Sequence, residues 1–360
     1  MAITARFVRV VFTLRQNPYQ EGHFIMLRNI LLGFVFLTLV IITALVIYKH
    51  QTDKHFYAGY TPEPPRNVVV EPPVSVESTV ETFGVVLPAR YRKQVLTFES
   101  DGGERVPALL TFPADMEEGA RLPAIILIHG SHQEKEFLEK ICTPFNEAGF
   151  AMACFDQYMR GSRKVEEGVL SNGLAFRARF RKTVHETQRL IDYLETRSDI
   201  DPRRIYLIGA SYGAITGTTV VAREKRIRAA ALVVGGGNFR LLAKAPRVRE
   251  SLAGWMQPLA GFFMTALAGP GDPIRHAAQT AGTPVLMLNG TNDRVVTPEA
   301  GKALFAALGE PKEIRWYPVD HPDQEKNGKE VIRMLKDGLV WMLEQDAPYR
   351  EAPAESPAEP

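Results

Sequence analysis

The feature that most constrains the fold is the stretch Arg204–Ala214, which has the sequence RIYLIGASYGA. Four apolar residues suited to a β-strand lead into Gly-Ala-Ser-Tyr-Gly, and a segment compatible with a helix follows. A chain that turns from strand to helix within about two residues strains the central Ser211 and requires glycine where the two elements cross. The pattern predicts an accessible, reactive Ser211 hydroxyl. A Gly-rich turn that matches by chance is the alternative.

The overall composition excludes several classes of protein. The 360 residues suffice for one large domain or two ordinary ones, and apolar and charged fractions of 45% and 23% indicate a globular protein. A formal net charge of +2 lacks the basic excess that phosphate backbones require, so no nucleic-acid partner is expected. Cys142 and Cys154 are too few for a disulfide framework. Two interpretations stay open for them: a pair in an exported domain, or two buried free thiols.

A hydrophobic segment near the N-terminus, Ile30–Tyr48, has nineteen residues without a charge. As a helix it would be about 28 Å long, close to the hydrocarbon thickness of a bilayer. A cleaved signal peptide is the alternative, but the sequence IYKHQ at its end offers no small-x-small cleavage site. We therefore predict a transmembrane signal anchor over 30–48.

The flanking cations predict the orientation of this anchor. Four arginines precede it and two lysines follow it closely: Arg6, Arg9, Arg15, Arg28, Lys49 and Lys54. The positive-inside rule then leaves residues 1–29 in the cytoplasm and the C-terminal bulk of the chain on the non-cytoplasmic side, periplasmic or extracellular. A start at Met26 instead of Met1 gives the same topology.

Proline-rich segments bound the globular part. Residues 49–90 contain six prolines and are predicted as an extended linker, within which 74–80 is a candidate edge strand. Residues 347–360 contain four prolines and almost no large apolar side chains, which predicts a disordered tail. The globular domain is therefore predicted over 91–346.

Within 91–346, β-prone runs alternate with helical patterns. A hairpin signal, Asp101–Glu104, separates the first two runs, and buried strands are predicted at 124–128, 150–155, 205–208, 229–234, 284–288 and 313–319. Helices are predicted at 134–148, 180–197, 298–308 and 329–343, and after Ser211. This order predicts an α/β fold with a doubly wound, mostly parallel sheet that is mixed at its first edge. In such sheets the site lies beyond the carboxyl ends of the strands.

The segment after the first buried strand is HGSH, residues 129–132. Glycine permits a tight turn whose amide N–H groups can stabilise negative charge on a substrate oxygen. We predict an oxyanion hole formed by the backbone N–H groups of Ser131 and Tyr212, the latter at a helix N-terminus. His129 and Gly130 are candidate substrate-binding residues. A plain turn is the alternative, as is a metal site formed by His129, His132 and Glu134, but no metal is predicted.

Charged and aromatic side chains follow the next strand. Asp156 and Arg160 are expected to brace the loops as a charged pair. Tyr158 or Arg160 could instead line the pocket or bind a substrate carboxylate.

An acid and a histidine follow two later strands. Asp293 comes after 284–288, and His321 comes after the last strand. A serine hydroxyl is a weak nucleophile until an imidazole takes its proton, and a carboxylate fixes the tautomer of that imidazole. We predict Ser211 as nucleophile, His321 as general base and Asp293 as its orienting acid. Weaker candidates are Asp320 and Asp323, which flank the histidine, His276, which precedes a strand, and His185, which lies in a predicted helix.

These motifs together resemble the α/β-hydrolase superfamily over roughly residues 90–345. The phrase SDIDPRRIYLIGASYG, which begins at Ser198, is similar to the dienelactone-hydrolase-like and prolyl-oligopeptidase-like branches. The resemblance implies the three roles given above, an oxyanion hole of backbone amides and no cofactor. Two departures are an HGS segment in place of HGGG and a serine nucleophile, which argues against dienelactone hydrolase proper. No β-propeller is expected before the domain.

A cap insertion is predicted at about 238–280. The segment Leu252–Ala268 within it is apolar all round and follows four cations. A buried helical hairpin over the sheet is the first interpretation, and an acyl-binding lid that also contacts a bilayer is the second.

We therefore predict a membrane-anchored serine hydrolase that cleaves a small-molecule or lipid-like carboxylic ester through an acyl-serine intermediate. A peptidase or thioesterase with the same residues is the alternative among enzymes. A catalytically inactive hydrolase fold that serves as a binding module of the cell envelope is the alternative from another class. The acyl and alcohol groups depend on how residues 238–280 pack.

Overall fold

The computed structural model describes residues 18–164, 169–322 and 328–350. The chain divides into two compact units, the first ending at Phe56 and the second beginning at Tyr57. Helix α1, Pro18–Lys54, belongs to the first unit, and the sheet belongs to the second.

The predicted membrane segment at 30–48 lies within α1, which continues into charged residues such as Lys49 and Asp53, themselves an ion pair. In the part of the chain that the structure describes, no helix combines the length and apolar character needed to cross a membrane. The predicted transmembrane anchor is therefore not supported. The location of the second unit on the non-cytoplasmic side depends on the same segment and stays a prediction.

The second unit is built on one ten-stranded sheet. Its strands are β1 Val69–Val70, β2 Val74–Thr82, β3 Val85–Glu99, β4 Arg105–Phe112, β5 Leu122–Ile128, β6 Ala151–Phe155, β7 Ile200–Ala210, β8 Ile227–Val233, β9 Val285–Gly290 and β10 Lys312–Tyr317. Their spatial order is β1-β3-β4-β6-β5-β7-β8-β9-β10, and β2 pairs with β3. The strands from β6 to β10 are parallel and the first edge is antiparallel, which confirms the predicted mixed, mostly parallel sheet.

Helices cover both faces of this sheet. They are α2 Cys142–Glu147, α3 Val169–Glu195, α4 Tyr212–Arg223, α5 Phe239–Leu242, α6 Pro246–Glu250, α7 Ala260–Ala268, α8 Pro298–Ala307 and α9 Gly328–Arg350. Alternate strand residues such as Ile125, Leu127 and Tyr206 pack with α2 and α9 in one core cluster. Helices α3 and α4 pack on each other and on β7. Because consecutive strand side chains point to opposite faces, the central strands are apolar at nearly every position.

Several predicted boundaries differ in the structure. Part of the predicted linker, residues 49–90, contributes β1, β2 and the beginning of β3. Three of its prolines therefore lie beside or within strands rather than in a spacer: Pro72, Pro73 and Pro88. The helix predicted over 134–148 is a 3₁₀ turn, Lys135–Lys140, followed by α2. Helix α9 continues to Arg350, four residues into the predicted disordered tail, and residues 351–360 lie outside the described ranges.

Both cysteines are free and buried. Burial raises the pKa of each thiol, that of Cys142 to about 12. Of the two interpretations, the second is therefore confirmed: both cysteines are buried free thiols.

The predicted cap at 238–280 forms three short helices, α5 to α7, and then 3₁₀ turns that lead back to β9. It is not a buried hairpin. The side chains of Trp255, Phe262 and Phe263 are exposed at 73%, 66% and 53%. Large apolar side chains of this segment thus lie on the outer surface of the cap as well as in its interior.

Candidate active site

Ser211 lies in the tight turn between β7 and α4. Its backbone has φ 55° and ψ −114°, a conformation that costs free energy for a residue with a side chain. The turn is held by a hydrogen bond from Ser211 N to the Val233 carbonyl of β8, 2.9 Å long. The close crossing requires glycines, because a Cβ on Gly209 would lie 2.4 Å from the Gly213 carbonyl oxygen. The strained turn predicted from the sequence is present.

The three residues predicted as a catalytic set form one hydrogen-bonded chain. Ser211 Oγ lies 3.0 Å from His321 Nε2, and His321 Nδ1 lies 2.7 Å from Asp293 Oδ2. Asp293 is buried, and its Oδ1 accepts hydrogen bonds from the backbone N–H groups of Val295 and Val296, both 2.8 Å long. These bonds fix the carboxylate so that Oδ2 faces the imidazole. The arrangement can transfer the Ser211 proton to His321.

The competing residues have other partners. Asp320 accepts hydrogen bonds from the backbone N–H groups of His321 and Arg294, and therefore shapes the loop instead of orienting the imidazole. His276 Nε2 lies 2.9 Å from the Pro270 carbonyl, and His185 Nδ1 lies 2.9 Å from Asp101 Oδ2. Asp323 lies outside the described residues.

The two predicted amide donors lie beside this chain of side chains. Tyr212 is the first residue of α4, where backbone N–H groups have no acceptor within the helix. Ser131 follows Gly130, whose own N–H donates to Gln133 Oε1 at 2.9 Å. Neither the Ser131 nor the Tyr212 N–H has an acceptor among the residues that the structure describes. Both are therefore available to a substrate oxygen.

His129, a candidate substrate-binding residue, is fully buried and does not line the cavity beside Ser211. Its Nδ1 lies 2.8 Å from the Gly130 carbonyl, so Nδ1 is the protonated nitrogen in the neutral ring. Burial lowers the pKa of His129 to about 4. The prediction of substrate contact is therefore wrong for His129, because its ring supports the loop from within the core, whereas Gly130 lines the cavity.

The burial of His129 predicts a loss of stability at acidic pH. The unfolded chain binds a proton to this residue below a pKa of ~6.5, whereas the folded chain does so only near pH 4. The contribution to the free energy of unfolding is therefore complete above pH 6.5 and falls by about 2–3 kcal/mol as the pH decreases to 4.5. Urea unfolding at pH 7.5 and pH 4.5 measures this change.

The His129→Gln variant serves as the control for this effect. It is expected to be less stable at pH 7.5, but its stability should change less between the two pH values because the titrating group is gone. Equal pH dependence in the variant and the wild-type chain would contradict a neutral, buried His129.

The residues after β6 are arranged differently from the prediction. Asp156 pairs with Lys135, at 3.2 Å, and not with Arg160. The ring of Tyr158 lies 3.8 Å from Lys182 Nζ, so its face contacts a cation on α3. Arg160 is half-buried, and its Nε has no acceptor among the described residues. Arg160 remains a candidate ligand for a substrate group, and Tyr158 lies against a neighbouring helix.

A small apolar cavity opens beside Ser211 and His321. Its volume is about 150 Å³, a size that accommodates a molecule on the order of benzene. Apolar side chains from the β2–β3 turn, the 3₁₀ turn before α2, and α9 line its wall: Phe83, Phe137, Ile141, Val331 and Leu335. Sequence analysis missed these residues because they come from segments far apart in the chain, without a shared local pattern.

The alternative of a metal site gains no support from the geometry. Across the ranges 18–164, 169–322 and 328–350, no three His, Cys, Asp or Glu side chains are grouped so that they could hold a metal ion.

Known proteins resemble this chain in part of its sequence and in its fold. Residues 120–262 match the family model Hydrolase_4, described as serine aminopeptidase, S33. The acetyl xylan esterase 1 of Thermoanaerobacterium sp. JW/SL YS485 has a TM-score of 0.59 and 19% identity, over 80% of this chain and 93% of that chain. The second unit therefore has the α/β-hydrolase fold, and residues 120–262 match a family of that fold. The predicted resemblance is confirmed at this level.

Two curated relatives of this α/β-hydrolase illustrate how much is shared. The esterase YjfP of Escherichia coli (strain K12) is 24% identical over 217 residues, which are 57% of this chain and 82% of YjfP. The uncharacterized protein YfhR of Salmonella typhimurium is 31% identical over 171 residues, 44% of this chain. The matches span 48% and 53% of the lengths of two YfhR proteins, about half. The chain therefore spans about half the length of these two relatives.

Proposed function

We propose that the chain is a serine hydrolase that cleaves carboxylic esters with small acyl groups. The observation that carries this proposal is the hydrogen-bonded chain from Ser211 through His321 to Asp293, which ends at a buried carboxylate. A carboxylate in this position favours the imidazolium that forms when His321 takes the serine proton. The esterases among the relatives and structural neighbours are consistent with it.

The proposed reaction has two halves. Ser211 Oγ bonds to the ester carbonyl carbon while its proton passes to His321 Nε2, and the carbonyl oxygen becomes an oxyanion that the Ser131 and Tyr212 N–H groups stabilise. His321 then protonates the leaving alcohol as the carbon–oxygen bond breaks, which leaves an acyl-serine. In the second half, the oxygen of a water molecule bonds to the acyl carbon while His321 takes its proton. The bond from this carbon to Ser211 Oγ then breaks, His321 returns the proton to Oγ, and the carboxylic acid leaves.

The cavity beside Ser211 supports a small acyl group. At about 150 Å³, with an apolar wall, it offers no polar partner for a charged or hydroxylated chain beyond the serine, histidine and loop residues at its mouth. Two of the structural neighbours are named acetyl xylan esterases, and this name implies an acetyl ester as their substrate. We therefore propose acyl groups of about two to four carbons as the preferred substrates, since a longer chain would exceed this volume.

Replacing Leu335 by alanine is expected to move the preference toward longer acyl chains. Leu335 is half-buried and lines the cavity wall, so its truncation adds space at modest cost to stability. We expect the ratio of kcat/KM for p-nitrophenyl hexanoate over acetate to rise about tenfold, since one or two methylenes in an apolar pocket change rates by about this much.

Leu339→Ala is the matched control. Leu339 lies one turn further along α9, is also half-buried, and lines a different pocket. It is expected to leave the ratio unchanged. An unchanged ratio in Leu335→Ala would show that the acyl group binds elsewhere, for example under the cap.

A peptidase or thioesterase remains the second candidate, because the matching family model is described as a serine aminopeptidase. The same residues could cleave an amide or thioester. A panel of p-nitrophenyl esters, one aminoacyl p-nitroanilide and one acyl thioester separates the three. Higher kcat/KM on the anilide than on every ester would replace the esterase proposal.

A further inference from the structure

A buried arginine outside the proposed catalytic set contacts both parts of the oxyanion hole. Arg179, on α3, is 1% exposed. Its Nη1 donates to the Ser131 carbonyl at 3.4 Å, and its Cζ lies 4.0 Å from the centre of the Tyr212 ring. Ser131 and Tyr212 are the two residues whose backbone N–H groups are available to a substrate oxygen. Arg179 therefore contacts both residues of the proposed oxyanion hole, through the carbonyl of one and the ring of the other.

The guanidinium of Arg179 also holds the loop that carries Ser131. Its Nη2 donates to Gln157 Oε1 at 2.8 Å, and Gln157 Nε2 donates to the His129 carbonyl at 2.9 Å. Gln157 is fully buried. Through these bonds Arg179 and Gln157 hold the carbonyl groups of residues 129 and 131, which lie on either side of the peptide that carries the Ser131 N–H.

The charge of Arg179 is not neutralised in the described part of the chain. Its Nε has no acceptor there, and its other donors meet an amide oxygen and a backbone carbonyl, not a carboxylate. Arg160 lies close enough to add a second positive charge. The carboxylate of Glu186, also on α3, is occupied by Arg163 at 2.7 and 2.8 Å. Burial lowers the pKa of Arg179 to about 10, so the side chain is still a cation at neutral pH.

A buried cation without a counterion is costly, and this cost falls when a negative charge forms nearby. The one negative charge that the proposed reaction creates at this place is the oxyanion beside the Ser131 and Tyr212 N–H groups. We infer that Arg179 is a positioning residue that holds the oxyanion loop and whose uncompensated charge lowers the free energy of the tetrahedral intermediate. The inference rests on the proposed function and adds a residue to its machinery.

The first test replaces Arg179 by methionine and by lysine. In Arg179→Met we expect kcat to fall about hundredfold, as for loss of an oxyanion-hole donor, with KM changed less than about threefold. The affinity for an alkylboronic acid, which forms an anionic tetrahedral adduct with Ser211, should fall by a similar factor. Arg179→Lys keeps the charge and should be at least about tenfold more active than Arg179→Met.

Arg181→Met is the control, since it removes a cation from an exposed position on the same helix and should change none of these constants. Circular dichroism and thermal unfolding establish the folded fraction of each variant. A folded Arg179→Met with kcat within threefold of the wild-type value would overturn the inference. So would lost activity with unchanged boronic acid affinity.

A second pair of variants tests the charge without removing the arginine. Gln157→Glu places a carboxylate at the atom that Arg179 contacts, and Gln157→Met removes the same bond to the His129 carbonyl without adding a charge. We expect kcat in Gln157→Glu to be about tenfold below that in Gln157→Met, because the cation is then neutralised before the oxyanion forms. Equal values would contradict the role of the charge. Failure of the proposed function is distinguished by Ser211→Ala, which would then keep wild-type activity.

Discussion

Replacing Ser211 by alanine is expected to abolish labelling by a fluorophosphonate and to lower kcat for p-nitrophenyl acetate by at least about 10⁴-fold. The reason is that Ser211 Oγ is the atom within 3.0 Å of His321 Nε2, so no other hydroxyl in the described site can give its proton to this imidazole. His321→Ala should lose nearly as much, and combining the two changes should add little because the two residues act as a unit. Fluorescence of the labelled band and initial rates measure the two effects.

Ser131→Ala is the matched control for this prediction. Its backbone N–H, the group assigned to the oxyanion hole, is kept, while its hydroxyl, which lies 2.9 Å from His132 Nδ1, is lost. Labelling should therefore persist. Intact wild-type protein that does not label at neutral pH would instead favour the inactive binding module, and labelling that survives in Ser211→Ala would assign the nucleophile to another residue.

Replacing Gly213 by alanine is expected to prevent folding or to lower the free energy of unfolding by at least about 4 kcal/mol. A Cβ at this position would lie 1.8 Å from the Ile128 carbonyl oxygen, in the backbone of the central strand β5. Ile128 is paired with Gly209 of β7, so its backbone cannot move aside without disturbing that pairing. Soluble yield and urea unfolding measure the loss.

Gly217→Ala, four residues further along α4, is the control. There a Cβ would meet the flexible end of the Leu207 side chain at 3.1 Å, and alanine favours a helix over glycine by up to about 1 kcal/mol. A small change of either sign is expected. If Gly213→Ala were as stable as Gly217→Ala, this would contradict the close approach of α4 to the backbone of β5.

The sequence alone was enough to predict the site residues that directly follow strands. Ser211, Asp293 and His321 each follow a buried apolar run, and parallel strands bring such positions to one edge of the sheet. The order of elements alone therefore predicted that these three would meet. Asp320 could be set aside because adjacent residues of an extended segment point to opposite faces. In the structure its carboxylate accepts hydrogen bonds from backbone N–H groups and not from the imidazole.

The residues that surround the site were not predictable in this way. Phe83, Phe137 and Leu335 lie on three separate elements, and only the fold brings them to one cavity. Arg179 has a sequence context of alternating arginine and apolar residues that is typical of a solvated helix face, yet it is 1% exposed. Its burial depends on Gln157 and Tyr212, which lie on other elements.

Proline density misled the prediction of the N-terminal boundary. Prolines at an edge strand need not interrupt a sheet, because their missing N–H can face solvent. Pro88 stands in β3 opposite Thr79 of β2, in the segment predicted as a linker. The turn between these two strands carries Phe83, so a segment predicted as a spacer supplies part of the wall of the cavity beside Ser211.

Strand β8 contributes no member of the Ser211–His321–Asp293 chain, although it lies between β7, which leads to the serine, and β9, which leads to the acid. Neighbouring strands are ~4.8 Å apart, so the serine and acid strands are separated by about 10 Å. One imidazole with a hydrogen bond at each end nearly fills that gap. The width of β8 thus sets the distance between Ser211 and Asp293 that the His321 imidazole has to bridge. Substitutions that change how β8 packs should alter the proton-transfer distance without touching any reacting group.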